Sequence, residues 1–372
     1  MTEDIPLFRQ YYSKETIVKI KTDIESCLND SILMFGPRTE DLEKKFAGLI
    51  GVKHAISVNS CTTALTICLS YFEIQSRQIL VPSASFITSV SSIEFAGGHP
   101  VLVDTKSDSL DLNIDDLEKK ITPETKGVLW VHLLGHINKE YDRLKNICRK
   151  HGLFLLEDAA HALGSEINNM PAGCLGDAAC FSFYPTKILS CGSGGMITTN
   201  NDDLADYAKQ KRLFGWNHEK GLVDTYGNDW FLDEIRCSIL LNHMNDLEYI
   251  LANRKKLADY YTKYLKDCRR IKILMCDDSV KPSHYQYAVL LNPDIDRDHV
   301  IKVFKSKYKI AVKGIYRPCH EEPVFSHLIN KDLHHTENVL NKSLCLPFYC
   351  GLTQNQQDRV ISAILSEIEN PS

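Results

Sequence analysis

The chain lacks any run approaching the ~18 apolar residues that cross a membrane as a helix, so no membrane partner is expected. It also lacks a basic excess: 43 lysines and arginines stand against 48 acidic residues, for a net charge of −5. Without a broad positive field, nucleic acid is not expected as a partner either. None of the 13 cysteines falls in a CxxC pair, so neither a zinc ribbon nor a thioredoxin-like motif is signalled. The opening Met-Thr-Glu-Asp-Ile-Pro has no basic segment and no apolar segment of the kind that directs export. There is no GxxxxGK[ST] loop, and Gly192-Ser193-Gly194-Gly195 does not continue as GxGxxG, which leaves the dinucleotide reading weak. These absences point to a cytoplasmic enzyme with reduced, mostly buried thiols.

What is present is ordinary globular material. The 372 residues are 44% hydrophobic and 24% charged, enough for two domains. Short apolar runs at 54–59, 78–82, 100–104, 127–133, 153–157, 180–184 and 196–199 read as strands. Most are nearly continuous, as in strands buried on both faces. Segments 62–71, 84–96, 114–121 and 139–151 are long enough for helices between them. This alternation predicts an α/β fold with a mainly parallel sheet and helices on both faces. Near-helical spacing from 233 to 268 predicts one long connecting helix. Beyond it, strands at 285–291, 309–316 and 343–347 and helices at 296–308 and 353–368 form a smaller α/β domain. The expected division is 1–245, including an N-terminal arm, and 246–372. Segment 214–230, rich in Gly, Trp and Asn and without a period, reads as a functional loop or interface arm.

Ligands of open α/β sheets bind at the carboxyl ends of strands, and three features sit there. In Asn59-Ser60-Cys61-Thr62-Thr63 a strand gives way to an apolar helix. Its free N–H groups could hold an anion, or Ser60 could be an ordinary N-cap. Asp158 closes a hydrophobic strand in Glu157-Asp158-Ala159-Ala160-His161. A buried carboxylate there needs a partner, either a cationic ring nitrogen or a nearby backbone cap. Lys187, in Phe181-Ser182-Phe183-Tyr184-Pro185-Thr186-Lys187, follows a buried aromatic strand. It is a candidate amine nucleophile or a solvated lysine. His132 and His136 have metal-like spacing but lie on a strand and its exit, so no metal site is expected. Together the three features suit a ligand with an anionic end, a basic ring nitrogen and an aldehyde, as in pyridoxal 5′-phosphate.

With these blocks in this order, the chain resembles the DegT/DnrJ/EryC1/StrS sugar aminotransferases, which are fold type I pyridoxal-phosphate enzymes. The likeness runs from Phe35-Gly36-Pro37, Glu43 and Phe46, through 60–65, 81–86, 157–162 and Gly176-Asp177, to Lys187, His320 and Leu346-Pro347. It implies that Lys187 forms the internal aldimine and that Asp158 pairs with the pyridine nitrogen. It places His161 near the ring substituents, Cys61, Thr62 and Ser182 at the phosphate, and Phe86 against the ring. Tyr316 and His320 match a substrate-side segment. Asn228 would touch the phosphate of a partner subunit in a homodimer with shared active sites.

The implied reaction is ping-pong transfer of an amino group from L-glutamate to a keto group of a nucleotide-linked deoxysugar, with release of 2-oxoglutarate. Such sugars serve polysaccharide or O-antigen synthesis. Three alternatives share the scaffold: amination of an aminocyclitol-type ketone, cofactor-dependent sugar dehydration, and a non-catalytic cofactor-binding regulatory protein. Lysine rather than histidine at position 187 supports transamination over dehydration. The sequence departs from the family pattern where Cys61 replaces a Gly and Ser193 a Glu. In the Gly-x-Asn-x-Arg segment, ungapped matching sets Asp229 at the Asn position and Phe231 at the Arg position. An Asp there would repel a phosphate, which favours Asn228 with a one-residue shift.

Overall fold

In a computed structural model of the chain, residues 3–107, 109–217, 219–328 and 332–369 are described. Seven strands form the main sheet: β1 (His54–Val58), β2 (Gln78–Pro82), β3 (His99–Val103), β4 (Thr125–Val131), β5 (Phe154–Asp158), β6 (Ala178–Ser182) and β7 (Gly195–Thr199). They lie in the order β1-β7-β6-β5-β4-β2-β3. Every pairing among β3, β2, β4, β5 and β6 is parallel, and only β7 runs against its neighbours.

The apolar runs are continuous because each strand feeds two cores. Ala55, Leu80, Val128, Trp130, Leu155, Phe181 and Met196 enter one. Ile56, Ile79, Val81, Leu129, Leu156, Cys180 and Ile197 enter the other. Successive side chains point to opposite faces, so a strand covered on both sides cannot alternate apolar with polar. Helices α3 (Cys61–Tyr71), α4 (Ile87–Phe95) and α7 (Asp202–Lys211) cover the second face. Helices α2 (Pro37–Ile50), α6 (Tyr141–His151) and α8 (Glu234–His243) cover the first.

A third cluster draws on Leu257, Tyr261, Val289, Phe304, Leu344, Val360 and Ile364, joined by Ile5 from the N-terminus. It surrounds a small antiparallel sheet of β8 (Ile271–Ile273), β9 (Tyr287–Leu291) and β10 (Ser343–Leu346). α9 (Leu247–Leu265), α10 (Arg297–Val303) and α12 (Gln354–Ile364) flank it, the last opening on the expected Thr353/Gln356 capping box.

Three expectations need correction. The helix expected across 233–268 is broken: α8 ends at His243, a 3₁₀ turn spans Met244–Asp246, and α9 stops at Leu265. Buried Leu240 and Leu247 on either side of the turn both pack into the first core, so the apolar period runs through the break and hides it. Segment 309–316 is not a strand. It begins at Lys309 in the left-handed region and pairs only through single bridges, Ile310 with Ile5 and Lys313 with Cys345. Helix α4 starts at Ile87 rather than 84, because Ser85 turns back to bond the Pro82 carbonyl. The sequence reading also passed over α1 (Lys14–Asp30), α2, α7 and α11 (His334–Lys342). Segment 214–230 carries a two-residue hairpin, Trp216–Asn217 against Leu222–Val223, with His218 outside the described residues.

Candidate active site

The register of the sheet sets the site. Asp158 is level with Val131 of β4 and Cys180 of β6. Ser182, Gly195 and Val58 line up across β6, β7 and β1. The ends of β1, β5 and β6 therefore share one edge, above which lies a cleft of about 700 Å³. Its lining includes Cys61, Thr62, Phe86, Asp158, His161, Ser182, Lys187 and Tyr316, eight of the ten residues expected at the site.

At one end, α3 begins. Ser60 is its N-cap, accepting from the Thr63 N–H at 3.1 Å. The first-turn N–H groups at Cys61 and Thr62 have no helical partner, and the dipole favours an anion there. The neighbouring glycine-rich turn has a steric task. A Cβ on Gly195 would sit 2.4 Å from the Ser60 carbonyl and 2.7 Å from the Cys61 nitrogen. Only glycine lets β7 pass beneath this turn. Burial pushes the Cys61 thiol well above its ordinary value, with Asp158 adding to the effect, so it stays neutral beside an anion.

At the centre, Asp158 is buried, its Oδ2 accepting from the Ser89 hydroxyl at 2.7 Å and its Oδ1 from the Ala160 N–H at 3.1 Å. Among the described residues it has no cationic partner. Lys187 likewise has no carboxylate partner; its Nζ lies 4.9 Å from the Tyr285 ring centroid. Enclosure in the cleft brings this amine down from 10.5 to about 8, with Lys313 assisting and Asp158 opposing.

His161 is held from three sides. Its ring stacks on Tyr285 at 4.0 Å. Its Nδ1 accepts the Leu134 N–H at 3.2 Å, so the neutral ring carries its proton on Nε2, 3.3 Å from the Tyr316 hydroxyl. Burial, then Lys187 and Lys313, holds its pKa well below the usual histidine range. The donor sits on a left-handed turn at Leu134 and Gly135, where a Gly135 Cβ would meet Ser283 Oγ at 2.2 Å. Phe86 presents a 46% exposed ring to the cleft, 5.2 Å from Tyr316.

Two expected residues lie outside this lining. His320 is tied down by Ser83 (Nδ1 to Oγ, 2.8 Å) and Glu337 (Nε2 to Oε1, 3.1 Å). Those bonds engage both ring nitrogens. Asn228 caps its own loop, its side chain accepting from the Asp229 N–H at 2.8 Å. Phe231 packs on Phe35 at 5.1 Å, and Ser193 donates to the Asn59 carbonyl at 2.9 Å. Glu43 accepts from the Ser57 N–H at 2.8 Å and pairs with Arg212, bracing β1 beneath the α3 turn. His132 does not pair with His136; its Nε2 meets the buried Glu157 at 2.9 Å.

Sequence reasoning missed Ser89, Tyr285, Lys313, Arg254 and the arm residues Pro6, Leu7 and Phe8, all in the lining. Ser89 and Ser92 are buried on α4, and polar residues on the covered face of an otherwise apolar helix were a usable signal.

The sequence pattern of the DegT/DnrJ/EryC1/StrS aminotransferase family matches residues 15–365. The chain is 35% identical over 332 residues to a GDP-perosamine synthase of Caulobacter vibrioides, covering 87% of this chain and 88% of that one. It is 30% identical to a UDP-N-acetyl-3-dehydro-alpha-D-glucosamine 3-aminotransferase of Acidithiobacillus ferrooxidans, covering 93% of each. Its fold superposes with a TM-score of 0.91, at 29% identity and 98% coverage of both chains, on S. venezuelae DesV, solved in complex with a ketimine intermediate.

Proposed function

Because the chain belongs to the DegT/DnrJ/EryC1/StrS aminotransferase family, we propose that it transfers an amino group from L-glutamate to a keto group of a nucleotide-linked deoxysugar, using pyridoxal phosphate held in this cleft. One observation carries the reading: Asp158, a buried carboxylate without a cation, and Lys187, a lysine without an anion among the described residues, line one cleft that ends at a helix N-terminus. A charged group that deep in protein requires an opposite charge, and a protonated ring nitrogen on one side with a phosphate at α3 supplies it. Where the relatives name a nucleotide they differ, GDP in one and UDP in the other, so the nucleotide is left open.

When bound, the cofactor supplies the carbonyl that carries the amino group and a ring that draws electrons from the substrate carbon. The protein's residues do the rest. Asp158, held by Ser89 and Ala160, keeps the ring nitrogen protonated. The α3 N-terminus with Cys61, Thr62 and Ser182 orients the phosphate, and Phe86 covers a ring face. His161, neutral and donating from Nε2, suits an oxygen on the ring. Lys187 Nζ, with its depressed proton affinity, would take the proton from the substrate α-carbon and deliver it to the cofactor carbon that had carried the carbonyl.

The same proposal includes a cytoplasmic homodimer and the division at 245/246. Trp216, Leu222, Val223 and Tyr226 are exposed on the 214–230 arm, an apolar surface that a second copy would cover. Asn228 on that arm would reach the partner's phosphate. No described helix is long and apolar enough to cross a membrane. The test is a panel of keto sugar nucleotides with glutamate, read by mass spectrometry, beside Lys187→Ala. One amino sugar should form with the native protein and none with the variant. A variant that turned over normally would defeat the proposal.

A further inference from the structure

The cleft is over-supplied with positive charge. Its lining holds Lys187, Lys313 and Arg254 but a single carboxylate, Asp158. None of the three cations has an ion pair with the protein among the described residues. The cofactor carbonyl accounts for Lys187. Lys313 and Arg254 remain.

Arg254 is fixed in place at one nitrogen, while its buried Nε has no partner among the described residues. It is buried, its Nη1 donates to the carbonyls of His284 and Tyr285 at 3.0 Å each, and its guanidinium lies over the Phe348 ring. Lys313 is not. Its residue is exposed, and its ammonium has no hydrogen-bond acceptor among the described residues. Its backbone, however, is pinned to β10: the Cys345 N–H donates to the Lys313 carbonyl at 2.7 Å, and the Lys313 N–H to Cys345 at 3.4 Å. A fixed backbone with a free, flexible cation is the arrangement expected of a side chain whose partner arrives with substrate. Lys313 lines the same cleft as His161 and Lys187. Three residues on, Tyr316 touches His161.

We propose that Lys313 is the seat of a donor carboxylate, a specificity-determining residue that pairs with glutamate while its amino group lies at Lys187. The proposal rests on the transaminase reading above. A carboxylate is attached to the carbon that loses its proton, so a cation near Lys187 is placed to orient that carbon. A charge-assisted contact of this kind at the cleft lining distinguishes a dicarboxylate donor from an uncharged one.

The test uses the cofactor-loaded protein and its Lys313→Met and Lys313→Arg variants. Glutamate is titrated while cofactor absorbance reports the first half of the transfer. Glutarate, a dicarboxylate with no amine, is titrated by calorimetry, as are UDP and GDP. The Met variant should need about 10–100-fold more glutamate and bind glutarate correspondingly more weakly. Its starting absorbance and UDP or GDP affinity should stay unchanged, and the Arg variant should recover most of the loss. Unchanged glutarate and glutamate saturation would overturn the proposal. So would a loss confined to UDP or GDP, which would assign Lys313 to nucleotide phosphates, or a loss of starting absorbance, which would make it structural. If the native protein bound glutarate but glutamate left the absorbance unchanged, the transaminase reading would fail, while the glutarate arm would still decide Lys313.

Discussion

Ser89→Ala removes one of the two hydrogen bonds that hold the Asp158 carboxylate. The bond is short, 2.7 Å, and buried, and the Ala160 N–H at 3.1 Å is the other support. A hydrogen bond to a charged group contributes ~1.5–3 kcal/mol. With ~1.4 kcal/mol per tenfold, full loss corresponds to roughly a 10–150-fold effect on whatever depends on that carboxylate. Two quantities should depend on it: affinity for pyridoxal phosphate and the rate of the glutamate half-reaction. Fluorescence titration of cofactor-free protein reads the first, and stopped-flow absorbance reads the second. Ser89 lies on the covered face of α4, so a modest drop in melting temperature will accompany the change and should be measured alongside. A parallel Asp158→Asn variant sets the ceiling. If Asp158→Asn is impaired but Ser89→Ala keeps native affinity and rate, the hydrogen bond does not position the carboxylate and the reasoning is wrong.

Two further predictions concern protons. Only a neutral amine attacks an aldehyde, and Lys187 is brought down to about 8, so capture of pyridoxal phosphate by cofactor-free protein should accelerate towards pH 8 and level off above it. A rate still climbing at pH 10 would show that the amine is not desolvated. His136 and His284 are held at about 4 against an ordinary 6.5, both chiefly by burial. The unfolded chain therefore binds more protons between those values; the stability they contribute is complete above pH 6.5 and is lost as pH falls towards 4, up to about 3 kcal/mol per histidine. Urea unfolding from pH 7 to 4 should show that slope, and the double variant His136→Gln, His284→Gln should flatten it; an equal slope in both proteins would refute the assignment.

Much of the architecture could be read in advance because it is local. Strands that face two cores are apolar throughout, and their ends carried Asp158, Ser60 and Lys187 in recognisable surroundings. The site was less legible where it depends on contacts between distant segments. Ser89 meets Asp158 across 69 residues, and His161 meets Tyr316 across 155. The arm residues Leu7 and Phe8 reach the cleft because Ile5 bridges Ile310, a pairing no spacing rule reveals. Segment 309–316 misled for the same reason: its residues have strand character, but two single bridges leave no ladder to build. His320 was expected on the substrate side, whereas Ser83 and Glu337, which take up its ring nitrogens, could only be seen in three dimensions.

The strand order has a consequence for biosynthesis. β1 has a single neighbour in the sheet, β7, which leaves the ribosome only after more than half of the chain. At ~5–20 residues per second, the edge of β1 stays bare for on the order of ten seconds while β2 to β6 are already being made. Throughout that interval the nascent polypeptide offers an open hydrogen-bonding row to its neighbours on the same message. Slowed translation between the codons for β1 and β7 would therefore lower the yield of soluble protein, even though every amino acid is unchanged.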